Sequence, residues 1–167
     1  MKIIRTIVVD DEPAARARLV RMLKTDPDIE VVAECRNGAE ALDTIRAENI
    51  DLVYLDIQMP QVNGLELVSK FPPERVPYVV FVTAHDRFAL KAFDLNAVDY
   101  LLKPYDDERF FISLTRAKEL VEMRHNKRLT GRLMDLMQDH LNVRKEYNEI
   151  FVIKEKGREY KVPVKEV

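Results

Sequence analysis

"TIVVDDEPAARARL", residues 6 to 19, sets a β-branched run, Ile7-Val8-Val9, directly before three carboxylates, Asp10-Asp11-Glu12. The apolar run reads as a buried strand, and Pro13 followed by Ala15, Leu19, Met22 and Leu23 reads as a helix with one apolar face. A strand feeding a helix through an acidic turn sets the pattern for the rest of the chain. Further apolar runs recur at Ile29 to Ala33, Leu52 to Leu55, Tyr78 to Val82 and Val98 to Leu102, the first run extending from Ile3 to Val9. Helical spacing fills the intervals: Pro13 to Lys24, Gly38 to Glu48, Gly64 to Phe71 and Arg87 to Leu95. Strands alternating with helices at this spacing predict an α/β fold, a mostly parallel sheet with helices on both faces.

The pattern changes near Asp107, where a long helical stretch begins. Phe110, Phe111, Leu114, Ala117 and Val121 form one stripe predicted to lie along the sheet. Leu129, Leu133, Leu136, Met137 and Leu141 form a second, which is either an ordinary surface helix or a helix offered to a partner subunit. After Tyr147, two extended runs flank Lys156-Gly157-Arg158 and read as a β-hairpin. A lone hairpin is marginal in water, so this tail is expected to dock on something and to open a further domain. The division expected is a domain over residues 1–121, a helical linker over 122–146 and a truncated domain start over 147–167.

Composition removes several function classes. With 27 Lys plus Arg against 29 Asp plus Glu the 167-residue chain carries −2, which does not suit a basic nucleic-acid surface over its whole length. One cysteine, Cys35, allows no internal disulfide and reads as a buried hydrophobe, and the three histidines offer no zinc-ligand spacing. No window is long and apolar enough to span a membrane and nothing at the N-terminus resembles a signal peptide, so a cytoplasmic location without membrane contact is expected.

In a parallel sheet every strand ends along one edge, where open α/β folds hold their ligands. The first strand ends at Asp10 and Asp11, the third at Asp56, the fourth at Thr83 and the fifth at Lys103. Alone, each has an ordinary explanation: Asp11 as a helix cap, Asp56 as a turn residue, Thr83 as a strand or cap residue, Lys103 as a surface charge. Their coincidence on one edge points to chemistry. Two unit charges about 4 Å apart repel by about 4 kcal/mol at an effective dielectric of 20, so clustered carboxylates call for a cation. Oxygen donors alone suit Mg²⁺ rather than zinc. A hard divalent ion beside a carboxylate, a hydroxyl and an ammonium is the equipment of phosphoryl transfer, with Asp56 as the nucleophile.

The chain resembles a response-regulator receiver domain of two-component signalling, over about residues 3 to 121. The carriers are "DDE" at Asp10, "LDIQMPQVNG" around Asp56, "VTAHD" with Thr83 and "DYLLKP" with Lys103. That resemblance implies a flavodoxin-like (βα)5 doubly wound sheet of five parallel strands, followed here by the long helical linker and the hairpin. It also implies that Asp10, Asp11, Asp56 and the Gln58 backbone carbonyl hold Mg²⁺. Asp56 would then accept a phosphoryl group from a sensor histidine kinase, and Thr83 and Tyr100 would act as a switch toward a dimerisation or output surface. The Lys103-Pro104 peptide is commonly cis in the family.

The stretch "AHDRFALKAFDLNAVDYLLKPYDDERF" is similar to receivers joined to a LytTR-type DNA-binding domain, and "FVIKEKGREYKVPVKEV" resembles that domain's opening strands. The resemblance implies a transcriptional regulator that contacts DNA only through the part mostly missing here, forms a homodimer on activation and is not an enzyme beyond its own phosphoryl transfer and autodephosphorylation. A phosphatase of the haloacid-dehalogenase kind needs a "DxDx[TV]" box on its first strand, and "DDEPA" does not fit. No Gly-rich nucleotide loop occurs. The alternative is a phosphorylation-independent interaction module of the same fold.

Overall fold

The computed structural model describes residues 2–95, 97–148, 150–155 and 158–163, with side chains described up to residue 141. Two compact units divide the chain, Met1–Met123 and Arg124–Val167. In the first, five strands alternate with helices: β1 Ile4–Val9, α1 Pro13–Leu23, β2 Ile29–Cys35, α2 Gly38–Ala47, β3 Leu52–Leu55, α3 Gly64–Ser69, β4 Tyr78–Thr83, α4 Ala89–Asp94 and β5 Asp99–Leu102. Helix α5, Asp107–Asn148, begins in this unit and continues into the second.

All five strands are parallel, in the order β2-β1-β3-β4-β5, the flavodoxin-like arrangement. Strand β1 is paired on both sides, and its side chains alternate between two cores. Ile4 and Val8 pack with Leu19, Leu23 and Phe110, while Ile7 and Val9 pack with Ala41, Ile45 and Leu67. Burial on both faces explains why the strands read as continuous apolar runs.

The first stripe of α5 is narrower than the sequence spacing suggests. Phe110, Leu114, Ala117 and Val121 are buried, but Phe111 is 41% exposed. The buried set already recurs at spacings of four, three and four, so the next residue, about 100° further round the helix, faces outward. Strand β2 runs to Cys35 rather than Ala33, because Glu34 and Cys35 pair with Val8 and Val9 beyond a register shift at Thr6/Ile7, where β2 carries one extra residue, Val32. Before α4, residues Asp86–Phe88 form a 3-10 turn, so the α-helix starts at Ala89 rather than Arg87.

Asp99, 6% exposed at the start of β5, is gripped by the Arg109 guanidinium in two hydrogen bonds of 2.6 and 2.7 Å, with Arg116 at 3.3 Å. Burial alone would raise its pKa, yet the Arg109 hydrogen bonds and charge outweigh it and hold the carboxyl below 3.8. A depressed carboxylate pKa adds stability that is present above the unfolded-state value and is lost as pH falls through the folded one. Acid titration of the Asp99→Asn variant should therefore show a shallower loss of stability below pH 3.8 than the wild type, with the variant less stable at neutral pH. Urea unfolding at several pH values checks this.

In the second unit, β6 Ile150–Glu155 and β7 Arg158–Pro163 form an antiparallel pair. The hairpin read from the sequence is thus present, its connecting residues 156 and 157 lying outside the described set.

Candidate phosphoryl and metal site

The site is built at the C-terminal edge of the sheet. Strand β1 ends at Val9, and the next residue, Asp10, is fully buried while Asp11 is exposed. Asp10 Oδ1 accepts a 2.9 Å hydrogen bond from the Glu12 N–H, which turns the chain into α1. Asp11 is therefore not the helix cap: Glu12 occupies that position without a side-chain bond, and Pro13 opens the helix. The backbone carbonyl of Asp10 accepts from Arg16 at 2.8 Å.

Asp56 follows β3, held by the hydrogen bond from its N–H to the Val9 carbonyl, 2.9 Å. This bond ties the ends of β1 and β3 together and brings residues 46 positions apart into one pocket. Asp56 Oδ1 accepts from the Gln58 N–H at 3.1 Å, so the turn reading of Asp56 is correct as far as it goes. One carboxylate oxygen from each of Asp10, Asp11 and Asp56 lies within 4.8 Å of the others.

Two features fix the loop after Asp56. Gly64 donates its N–H to the Ile57 carbonyl at 2.8 Å, and a Cβ on Gly64 would fall 2.4 Å from the Asp56 carbonyl oxygen. Only glycine allows this approach, which makes Gly64 part of the mounting of Asp56. Asn63 accepts from the Leu65 N–H at 2.8 Å and caps α3.

Lys103 reaches in from the end of β5. Its ammonium lies 2.8 Å from Asp10 Oδ2 and 3.3 Å from Asp56 Oδ2, and the Lys103 backbone N–H donates to the Thr83 carbonyl at 2.8 Å. The surface-charge reading of Lys103 therefore does not hold. The peptide that follows, Lys103-Pro104, is cis. Thr83 is buried at the last position of β4, opposite Leu102 of β5, and its Oγ1 accepts from the His85 N–H at 3.4 Å. Tyr100, partly buried, donates its hydroxyl to the His85 backbone carbonyl, so the β4–α4 loop links the Thr83 and Tyr100 side chains.

Electrostatics marks Asp56 out. Burial first, and the neighbouring Asp10 charge after it, push its pKa up to about 6 against the opposing pull of Lys103. Burial also works against the Lys103 ammonium, but the Asp10 hydrogen bond and the two carboxylate charges outweigh it and raise its pKa. One ammonium thus serves two carboxylates, with a third beside them. The donor set is oxygen only, part buried and part open at Asp11, which fits a hard divalent cation that keeps some of its water.

Sequence reading brought Asp10, Asp11, Asp56, Thr83 and Lys103 to this edge, and Tyr100 lies on the adjacent strand. It missed Arg16, Gly64 and the Asp99–Arg109 pair. Gly64 ends the LDIQMPQVNG stretch, but the close approach that requires it is a tertiary fact. Nothing in the local pattern distinguishes Arg16 or Arg109 from solvated helix residues.

A doubly wound sheet whose edge gathers an acidic cluster and one lysine defines an α/β protein with a charged site at its strand ends. The chain belongs to the response regulator receiver domain family, whose model matches residues 6–115. It is 46% identical over 116 residues to the transcriptional regulatory protein BtsR of Escherichia coli, covering 70% of this chain and 48% of BtsR. The chain spans about half the length of the curated relatives it matches. Among solved structures, the response regulatory domain of mrkE from Klebsiella pneumoniae has a TM-score of 0.66 at 32% identity, over 72% of this chain and 99% of that one. The response regulator TrrA from Thermotoga maritima, solved in complex with Mg²⁺-BeF, has a TM-score of 0.60 at 30% identity, over 70% of this chain and 99% of that one. Among the described residues no helix is long and apolar enough to cross a membrane.

Proposed function

We propose that the protein is a phosphorylation-activated switch in which Asp56 accepts a phosphoryl group from a phosphohistidine of a sensor histidine kinase. The observation that carries this reading is the carboxylate cluster of Asp10, Asp11 and Asp56 with Lys103 bridging Asp10 and Asp56. An Asp56 carboxylate oxygen attacks phosphorus, the P–N bond breaks as the P–O bond forms, and the imidazole, already protonated at its other ring nitrogen, takes the P–N electron pair and leaves as a neutral base. Asp10, Asp11, Asp56 and the Gln58 backbone carbonyl would hold Mg²⁺. When bound, that ion supplies charge neutralisation for the phosphoryl oxygens.

Lys103 then pairs with a phosphoryl oxygen, and the Thr83 hydroxyl turns toward another, giving up its bond from the His85 N–H. Because the His85 carbonyl also holds Tyr100, that rearrangement loosens or resets the Tyr100 ring and alters the face formed by α4, β5 and the start of α5. The face already exposes Leu90, Phe93 and Leu102. Homodimerisation through it on activation, and control of transcription in the cytoplasm by a longer protein carrying a LytTR-type DNA-binding domain, complete the proposal. The likeness to BtsR supports the transcriptional part, the Mg²⁺-BeF complex of TrrA the metal part. In the domain division that goes with it, residues 1–121 are the receiver, 122–146 a helical linker and 147–167 the opening of the DNA-binding domain.

The test is incubation with acetyl phosphate. Mg²⁺-dependent incorporation of an acid-stable, hydroxylamine-labile phosphoryl group at Asp56 is expected, and none in excess chelator.

A further inference from the structure

The second unit carries an apolar surface for which the phosphoryl chemistry has no use. Along α5, Leu129, Leu133 and Leu136 are 60%, 53% and 64% exposed, and Met134, Met137 and Leu141 lie between 61% and 66%. A helix side chain of this size gains nothing from standing in water. The leucines follow the alternating four-three spacing of a coiled-coil seam, and the spacing extends to Asn126 before them and His140 after them, both exposed. Asn126, Leu133 and His140 take the a positions and Leu129 and Leu136 the d positions. Arg128, Arg132, Asp135 and Asp139 fall on the rest of the helix, outside the seam, as do Met134 and Leu141, which take the b positions.

We propose that this seam pairs with the same seam of a second copy, as a parallel, in-register two-stranded coiled coil over residues 126–141. The choice of occupant rests on polar matching layer by layer. In register, Asn126 meets its own copy, and the two side-chain amides donate to and accept from each other. Three leucine-on-leucine layers follow, and His140 meets His140 of the other copy, where one ring N–H can donate to the other ring's bare nitrogen. An antiparallel pair centred on Leu133 and Leu136 would set His140 against Leu129 and leave the imidazole without a partner. A single asparagine at an a position is the known device for fixing two strands and register. At the flanking positions Arg132 lies beside Met137 of the other copy and Thr130 beside His125, so no acid opposes an acid and no two arginines or lysines meet.

The area involved sets the strength. Sixteen helical residues rise about 24 Å, and five layers over that length bury less than the roughly 1,200–2,000 Å² of a stable specific interface. The dimer is therefore weak by itself and adds to whatever contact the receiver face makes. This inference does not rest on the phosphoryl reading, and the Asp56→Asn chain serves to keep the two apart.

Sedimentation velocity of the whole 167-residue chain, from about 5 to about 500 μM, covers the micromolar association expected of an interface this small. A reversible monomer–dimer equilibrium is expected, the same in Asp56→Asn, with its midpoint raised at least about tenfold in the Leu133→Glu, Leu136→Glu double variant because four carboxylates would enter the seam. Both leucines are exposed, so circular dichroism should show the variant folded. Oxidation of a Leu133→Cys chain should yield a disulfide-linked dimer, with the unaltered chain as control for Cys35, which is buried. A monomer throughout, a higher oligomer, or a dimer indifferent to the two glutamates overturns the proposal. So does a cross-link that forms between Leu133→Cys and Leu136→Cys chains but not between two Leu133→Cys chains.

Discussion

Replacing Asp56 by asparagine is expected to abolish phosphoryl uptake from acetyl phosphate, with the rate falling by at least roughly a thousandfold, as when a covalent nucleophile is removed. The amide keeps the shape of the side chain and can still accept from the Gln58 N–H. What it loses is the negative oxygen proposed to attack phosphorus. The fold should not suffer. Asp56 is a buried carboxylate beside the Asp10 charge, and these together push its pKa up to about 6, so neutralising it relieves repulsion. Lys103 still has Asp10 at 2.8 Å. The Asp56→Asn chain should therefore unfold in urea at a concentration equal to or above that of the wild type while incorporating no label. Label persisting at another carboxylate, Asp10 or Asp11 included, would remove Asp56 from its proposed role.

Lys103→Ala should be the most damaging single change at the site for stability. Asp10 is fully buried, and Lys103 is the cation its carboxylate meets at 2.8 Å, so truncation leaves two buried acids facing each other. Breaking a buried pair from one side costs about 3–5 kcal/mol. The Lys103 side chain keeps 19% exposure, so water can enter and the lower end, about 3 kcal/mol, is expected. For a unit of this size that lowers the melting temperature by about 10 °C in chelator. If the carboxylates hold a divalent cation, added Mg²⁺ should return part of the loss, since binding to the folded state alone stabilises it. Calorimetry with chelator and with Mg²⁺ separates the two effects, and a variant as stable as the wild type in chelator would show that the pair contributes nothing.

Much of this was legible in the sequence because parallel strands carry their own signature. Ile7-Val8-Val9 must be apolar on both faces, and the strand ends must share an edge, so Asp10, Asp56, Thr83 and Lys103 could be placed together from chain order alone. Helix ends were less legible. Asp11 looked like a cap, but the Asp10 carboxylate accepts the Glu12 N–H and leaves Asp11 free to face the pocket. Phe111 looked like core because its spacing to Leu114 suits a stripe, yet Phe110 takes the inward position. Gly64 and the Asp99–Arg109 pair depend on contacts between elements that no local pattern records. The leucines at 129, 133 and 136 were visible as a stripe, but periodicity does not say whether an apolar face meets the same chain, and only their exposure in the structure makes the question of a partner sharp.

Anomalous scattering from a crystal grown with Mn²⁺ in place of Mg²⁺ addresses the metal and the geometry together. The expected peak lies among the carboxylate oxygens of Asp10, Asp11 and Asp56, within bonding distance of the Gln58 carbonyl. A pocket without a peak, in protein that takes up phosphoryl label under the same Mn²⁺ concentration, or a peak bound elsewhere, would contradict the account.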